Sequence, residues 1–242
     1  MSIDTNDPQL AERARLHAAL GDPIRLAVAE CLLLGDRSPA SLSAQWGVAS
    51  NLLAHHVSLL VAAGAVVRLP SQGDRRRVYL RLTAAGRAVL GPSSRALSTP
   101  RVVFVCTHNS ARSQFAEALW RDRSRVPVSS VGTHPARRVH PMACRVARRQ
   151  GVGLAGARPT PLTEGALSGA LVVTVCDSAD AELTPTRVQH LHWSVPDPVA
   201  IGGEPAFLRA WAEIAERIDV LVAAAKPTGW TDEATAPGGS LE

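Results

Sequence analysis

Apolar positions recur at intervals of three to four through the first part of the chain: Leu16, Ala19 and Leu20, then Ile24, Leu26, Val28, Ala29, Leu32 and Leu33, on either side of the turn Gly21-Asp22-Pro23. That period predicts helices burying one face. Ser38 followed by Pro39 opens a short helix that ends at Gly47, as N-cap and first-turn proline. Ser50 opens a longer one, closed by Gly64. Residues 66–69, the turn PSQGD and residues 76–82 then alternate as the two arms of a hairpin. Helices followed by a basic hairpin predict a winged helix-turn-helix, mainly α with a β-hairpin wing.

The period changes after GPSSRALSTP, residues 91–100, whose Gly, Pro, Ser and Thr content reads as a linker. Residues 101–106 are a short continuous apolar run, the pattern of a buried parallel strand. A helix is predicted over 113–123, a strand over 128–132, a helix over 141–151, strands over 170–176 and 190–195, and a long amphipathic helix over 207–225. Strands alternating with helices predict a three-layer α/β domain with a parallel sheet. The expected organisation is a DNA-binding unit at 1–90, the linker, a second domain at 101–228 and a flexible tail at 229–242.

Composition sharpens this picture in two ways. The net charge is +5, but it is unevenly spread: residues 1–50 carry four Arg against six acids, whereas 51–100 carry seven Arg against Asp74 alone. A basic concentration on the hairpin points to a polyanion. Four cysteines in 242 residues exclude a disulfide scaffold, so each thiol is judged by its surroundings. The N-terminus MSIDTNDPQL lacks the apolar stretch of a signal peptide, and no run approaches the roughly 20 apolar residues that span a bilayer. A cytoplasmic protein with no membrane partner is expected.

Cys106 and Arg112 stand at the Cys-x5-Arg spacing of an anion-binding thiolate loop, and so do Cys31 and Arg37. The surroundings separate them. Leu32, Leu33, Leu34, Gly35 and Asp36 continue a helix end and bring a carboxylate that repels an anion. Thr107, His108, Asn109, Ser110 and Ala111 lie between an apolar strand and a helix start, where backbone N–H groups converge and the helix dipole adds positive potential. There Cys106 is stabilised as a thiolate, Ser113 donates a hydroxyl hydrogen bond to it, and Arg112 grips two oxygens of the anion. His190 and His192 share a strand face, but no nearby Cys, His or Asp set completes a metal site, so no metal and no bound cofactor are expected. Cys144, on an apolar helix face, reads as core.

Through VFVCTHNSARSQFAEALW, SSVGTHPARRVHPMA, ARPTPLT, VVTVC and HWSVPDPVA, the second half resembles the low-molecular-weight tyrosine phosphatase fold, which thiol-dependent arsenate reductases share. The resemblance implies Cys106 as nucleophile, Asn109 as the residue shaping the loop, and Asp197, before Pro198, as general acid. The loop and its helix are more similar to the reductase branch. Val199 and Ala200 stand where phosphatases of the family place aromatics to stack on a substrate ring, and Tyr79, the sole tyrosine, lies in the first half. A small oxyanion, arsenate or phosphate, is therefore the expected substrate, with protein tyrosine phosphatase as the alternative. Cys176 stands where thioredoxin-coupled reductases place a second cysteine, but Leu183 occupies the third cysteine position. Either Cys176 resolves the adduct or an external thiol does, so thioredoxin or a low-molecular-weight thiol is the expected redox partner.

Through LHAALGDPIRLAVAECLL, SLSAQWGVASNLLAHHVSLLVAAGAV and GDRRRVYLRLT, residues 13–90 resemble ArsR-type winged-helix repressors. LTAAGRAVL is similar to MarR-like members as well. The resemblance implies double-stranded DNA as partner and a homodimer, here through residues 10–20. Ser50, Asn51, His55 and Ser58 offer short polar groups to base edges, and Arg75, Arg76 and Arg77 suit phosphates or the minor groove. Metal-sensing members carry paired cysteines before the recognition helix; RSPASLSAQWG has none, and Cys31 alone does not supply the thiolates arsenite takes. A regulator whose second domain only senses oxyanion is a further alternative.

Overall fold

The computed structural model describes residues 7–91, 97–183 and 189–227. The tail expected from 229 onward and positions 92–96 of the expected linker lie outside the described residues. In the first half, α1 (Pro8–Leu20), α2 (Pro23–Cys31) and α3 (Pro39–Trp46) begin alike. Asp7, Asp22 and Ser38 accept the backbone N–H of Gln9, Arg25 and Ser41, and a proline opens each first turn. Gly47 (φ +64°) ends α3, and Gly64 (φ +77°) turns the chain after α4 (Ser50–Ala62). Val28, Leu42, Leu53, Val57, Leu60 and Leu80 form the centre of a core of their own.

The hairpin pairs β1 (Val66–Pro70) with β2 (Val78–Leu82) from Val66↔Leu82 to Pro70↔Val78, and α5 (Ala84–Leu90) follows with Thr83 as its N-cap. The second arm therefore starts two residues later than the alternation predicts. Ser71 N–H donates to the Arg77 carbonyl at 2.9 Å, and the Asp74 carboxylate accepts the Arg76 N–H at 3.0 Å. These bonds commit Arg75, Arg76 and Arg77 to the turn rather than to the ladder.

The expected linker is in part structured: β3 (Leu97–Thr99) pairs in parallel with β8 (Ala225–Pro227). Three-residue strands of mixed polarity carry no readable period. A four-stranded, all-parallel sheet follows, in the order β5 (Val128–Gly132), β4 (Val102–Cys106), β6 (Leu171–Thr174), β7 (His190–His192). β4 is buried along its whole length, as its unbroken apolar run requires. The helices are α6 (Arg112–Arg123), α7 (Pro141–Arg149), α8 (Asp177–Glu182), α9 (Pro198–Ile201) and α10 (Gly203–Ala224). α10 packs on α6 and α7, where Phe115 meets Trp211 edge-on at 5.0 Å. β6 and β7 end at Thr174 and His192, short of the expected 176 and 195: Val175 and Trp193 give one last N–H each, to the Val105 and Thr174 carbonyls, before the ladder stops. Among the described residues, no helix is long and apolar enough to cross a membrane.

The chain leaves the central strand β4 for one side and returns on the other, which makes the carboxyl ends of β4 and β6 the switch point of the sheet, where ligands of open α/β folds bind. The first half packs against this end of the sheet. Asp36, 1% exposed, receives Arg81 of β2 at 2.9 Å, Arg217 of α10 at 2.9 Å and the Ser194 N–H at 2.8 Å. The Trp193 indole N–H donates to the Leu34 carbonyl at 2.8 Å, and Arg87 pairs with Glu216.

Candidate active site

Residues 106–112 turn from β4 into α6, and their carbonyls are tied to the segment after β5. Cys106, Thr107, His108 and Ser110 carbonyls accept N–H groups of Thr133, His134, Ala136 and His140 at 2.8–3.1 Å. With the carbonyls held on that side, the amides of the loop are left for its interior. The start of α6 has no side-chain cap at Ala111, so its first N–H groups add positive potential there. Gly132 permits the approach: a Cβ there would stand 2.9 Å from the Thr107 carbonyl oxygen and 3.0 Å from Asn109 Cβ.

Asn109 sits at the centre with φ +45°, left-handed backbone that an asparagine tolerates better than most side chains. Its Nδ2 donates to Ser113 Oγ (2.7 Å) and Ser130 Oγ (2.8 Å), while Oδ1 accepts from Gln114 Nε2 (3.0 Å) and the Thr160 N–H (2.8 Å). The Asn109 backbone N–H points to Cys106 Sγ at 3.1 Å, and Ser113 Oγ lies 3.0 Å from the same sulfur. Cys106 is 2% exposed at the bottom of this cup. Ser110 and Ala111 are buried in the loop, Thr107 is half-buried, and His108 is exposed at the rim with Nδ1 3.1 Å from the His134 carbonyl oxygen.

Arg112, 7% exposed, donates through one terminal nitrogen to the Val195 carbonyl (3.0 Å) and pairs through the other with Asp197 Oδ2 (3.0 Å). The other oxygen of Asp197 accepts the Val199 N–H at 3.0 Å as the N-cap of α9. The carboxyl is therefore aimed from two sides.

Cys176 follows β6, the neighbour of β4 in the Val105↔Thr174 register, and its Sγ lies 3.4 Å from Thr107 Oγ1. Burial pushes the Cys176 thiol up, and the nearby Arg112 offsets that only in part. His190 and His192 turn their ring nitrogens onto protein groups: His192 meets Asp177 (3.0 Å) and Thr174 (2.9 Å), and His190 meets Thr174 (3.1 Å). Among the described residues, no group of His, Cys, Asp and Glu is arranged to hold a metal ion. Tyr79 crosses to the second half, its hydroxyl donating to Asp180 at 3.0 Å and its ring lying 4.4 Å from that of His192. Gln114, Ser130 and Thr160, which hold Asn109, are not singled out by the sequence. Ser130 and Thr160 are isolated polar residues remote in sequence from Asn109, with only Gly132 near Ser130 hinting at a close approach, whereas Gln114 is five residues on, inside the loop–helix stretch, and carries no chemistry that singles it out.

The candidate nucleic-acid contacts all come from the first half, those of the hairpin from the turn whose Gln72 reaches the Asp197 N–H. Ser50, Asn51, His55 and Ser58 are exposed on α4, and Arg75, Arg76 and Arg77 are exposed in the hairpin turn. Ser58 Oγ accepts from Arg68 at 3.1 Å and donates to the Ala54 carbonyl, so it is the most engaged of the set.

A parallel sheet whose central strand delivers a buried cysteine to a helix start, with the Asn109 N–H and the Ser113 hydroxyl on its sulfur, defines a cysteine-based enzyme. Residues 101–228 match the family described as low molecular weight phosphotyrosine protein phosphatase, more than half of the chain, and the chain belongs to that family. A protein named arsenate reductase from Brevibacillus brevis is 37% identical over 124 residues, 48% of this chain and 90% of that protein. One of the same name from Bacillus anthracis is 35% identical over 125 residues, again 48% and 90%. A solved structure of an arsenate reductase from Archaeoglobus fulgidus is 32% identical, covers 50% of this chain and 98% of its own, and has a TM-score of 0.45. The chain is a cysteine-based, thiol-dependent enzyme of the low molecular weight phosphatase family.

Proposed function

We propose that the chain is an arsenate reductase with Cys106 as nucleophile, joined to a winged-helix DNA-binding unit of the ArsR type that serves arsenic detoxification. The observation that carries the enzymatic reading is the pair of donors on Cys106 Sγ, the Asn109 N–H and the Ser113 hydroxyl, at a loop whose last residue, Arg112, pairs with Asp197. The Cys106 thiolate attacks arsenic, forming a sulfur–arsenic bond, and one arsenic-bound hydroxyl takes the proton of Asp197 and leaves as water. Arg112 moves its donors from Asp197 and Val195 to the oxyanion. A second thiolate then attacks Cys106 Sγ; the sulfur–arsenic bond breaks, its electron pair stays on arsenic, and arsenite leaves. The disulfide formed is reduced by an external thiol, thioredoxin or a small thiol.

Cys176 is the candidate second thiol within the chain, supported by its place on the neighbouring strand end beside Thr107. Burial raises the pKa of its thiol, so it must be activated once Cys106 carries the adduct. The relatives named arsenate reductase support this choice of substrate, and a reducing cytoplasm suits thiol exchange. A protein tyrosine phosphatase acting through phosphocysteine uses the same loop and acid, but Val199, Ala200 and Ile201 offer an aromatic ring no stacking partner.

The test is arsenite formation from arsenate by the full chain, with thioredoxin and small-thiol systems in parallel. Turnover lost in Cys106→Ser is expected. No turnover with any donor, with hydrolysis of an aryl phosphate instead, would establish the phosphatase, and neither activity with oxyanion-dependent release of DNA would establish a sensor. For the first half, exposure of Ser50, Asn51, His55 and Ser58 on α4 and of Arg75, Arg76 and Arg77 in the hairpin turn supports DNA binding, which we assign to a homodimer through residues 10–20. Anisotropy of a labelled duplex should show salt-dependent binding whose slope falls by about 1 for each arginine removed that contacts a phosphate; no binding at low salt would overturn it.

A further inference from the structure

We propose that Gln72, from the hairpin turn of the first half, is a positioning residue of the active site, holding the backbone of Asp197 in place for proton transfer. This rests on the reading of Asp197 as the acid. The Asp197 N–H is not used by its own helix cap, which employs the side chain on Val199; it donates instead to Gln72 Oε1 at 3.0 Å. The Gln72 N–H in turn donates to Asp177 Oδ2 at 2.7 Å, and the other oxygen of Asp177 meets His192 at 3.0 Å. One residue thus ties together the two segments that follow β6 and β7, the first bearing Cys176 and the second bearing Asp197.

The turn is built to hold that residue still. Ser71 Oγ accepts the N–H groups of Gly73 and Asp74, both at 3.2 Å, which fixes the tip from within. Gly73 lies so close to α8 that a Cβ would stand 3.0 Å from the Ser178 nitrogen, so any side chain there would press the tip off that backbone by a few tenths of an ångström. The arms behind it are anchored by Tyr79 on Asp180 and by Arg81, whose guanidinium donates to the Ser194 carbonyl at 2.7 Å. Ser194, Val195 and Asp197 are consequently held by hairpin, sheet and Arg112 together. An interdomain glutamine that only joined the halves would not need to meet the acid's own peptide. A misplacement of the acid on the order of an ångström is enough to slow proton donation substantially.

The experiment uses the full chain and the variants Gln72→Ala, Gly73→Ala, Asp197→Asn and the Gln72→Ala/Asp197→Asn double variant. It reads arsenate turnover and p-nitrophenyl phosphate hydrolysis, together with hydrogen exchange of the peptide covering 193–201. Gln72→Ala is expected to lower kcat about 5- to 10-fold with KM changed less than about 2-fold, and to speed exchange over 193–201. Gly73→Ala, which lifts the tip without touching Gln72, should do the same. In the Asp197→Asn background Gln72→Ala should cost nothing further. Unchanged exchange overturns the proposal without any need for turnover, as does an undiminished kcat or a loss that adds fully to that of Asp197→Asn. If Asp197→Asn itself leaves kcat unchanged, the acid reading falls and this proposal falls with it; if Asp197→Asn is impaired and Gln72→Ala is not, only the proposal falls.

Discussion

Asn109 shows how much one side chain can be asked to do. Its amide closes on Ser113, Ser130, Gln114 and the Thr160 N–H while its backbone holds φ +45°. Asn109→Ala removes those bonds, strands buried partners and keeps the unfavourable backbone, at about 3 kcal/mol of stability in a denaturant melt. Asn109→Gly loses the same bonds but relaxes the backbone, so it should recover about 1 kcal/mol relative to alanine. Equal stabilities would mean that φ +45° stores no strain. The loop residues were legible because they are contiguous: Cys106, Asn109, Arg112 and Ser113 lie within one turn of chain between a strand and a helix. The shell around them was not, because Ser130 and Thr160 come from later segments whose pairing no local period encodes.

At the scale of elements, Gly132 at the end of β5 sets how near that strand end comes to the loop. Gly132→Ala must displace the loop, since the atoms in its way are backbone and the Cβ of Asn109. Phosphate should then protect Cys106 from iodoacetamide at least about 10-fold less well, while the melting temperature falls only a few degrees. Intact protection would show that the loop adapts. The strands here were readable where a run of β-forming residues is bounded by turn residues, as in the largely exposed β1. β4 stands out as an unbroken apolar run and β5 as a short β-rich stretch, whereas β3 and β8, three residues each, carry no pattern. The order β5-β4-β6-β7 could not be read at all, because periodicity marks a strand without marking its neighbour. The hairpin's second arm was placed early for a related reason: Arg76 and Arg77 alternate acceptably with β2, and only the bonds of Ser71 and Asp74 show them to be turn.

For the whole molecule, the decisive group is Asp36. Burial raises the cost of its charge, but Arg217 and Arg81 outweigh that, with the Ser194 N–H, and hold the carboxyl down at about 2. A carboxyl depressed from 3.8 contributes stability that is fully present above about pH 4 and is lost as the pH falls toward 2, roughly 2 kcal/mol in all. Asp36→Ala should cost about 3 kcal/mol at neutral pH, because it leaves the half-buried Arg81 and Arg217 to share Glu213 alone, and it should flatten the acid limb of stability between pH 4 and 2. An unchanged acid limb would assign that limb to other carboxyls. The contact that sits beside this ion network also gives the molecule an optical gauge of its own. The indole of Trp193 is fully buried, donates to Leu34 across the junction and lies 5.8 Å beneath the Arg217 guanidinium. Parting the two halves would hydrate that ring, so a red shift of its emission in Asp36→Ala, absent when Trp193 is replaced by Phe, would report their separation in solution without any label.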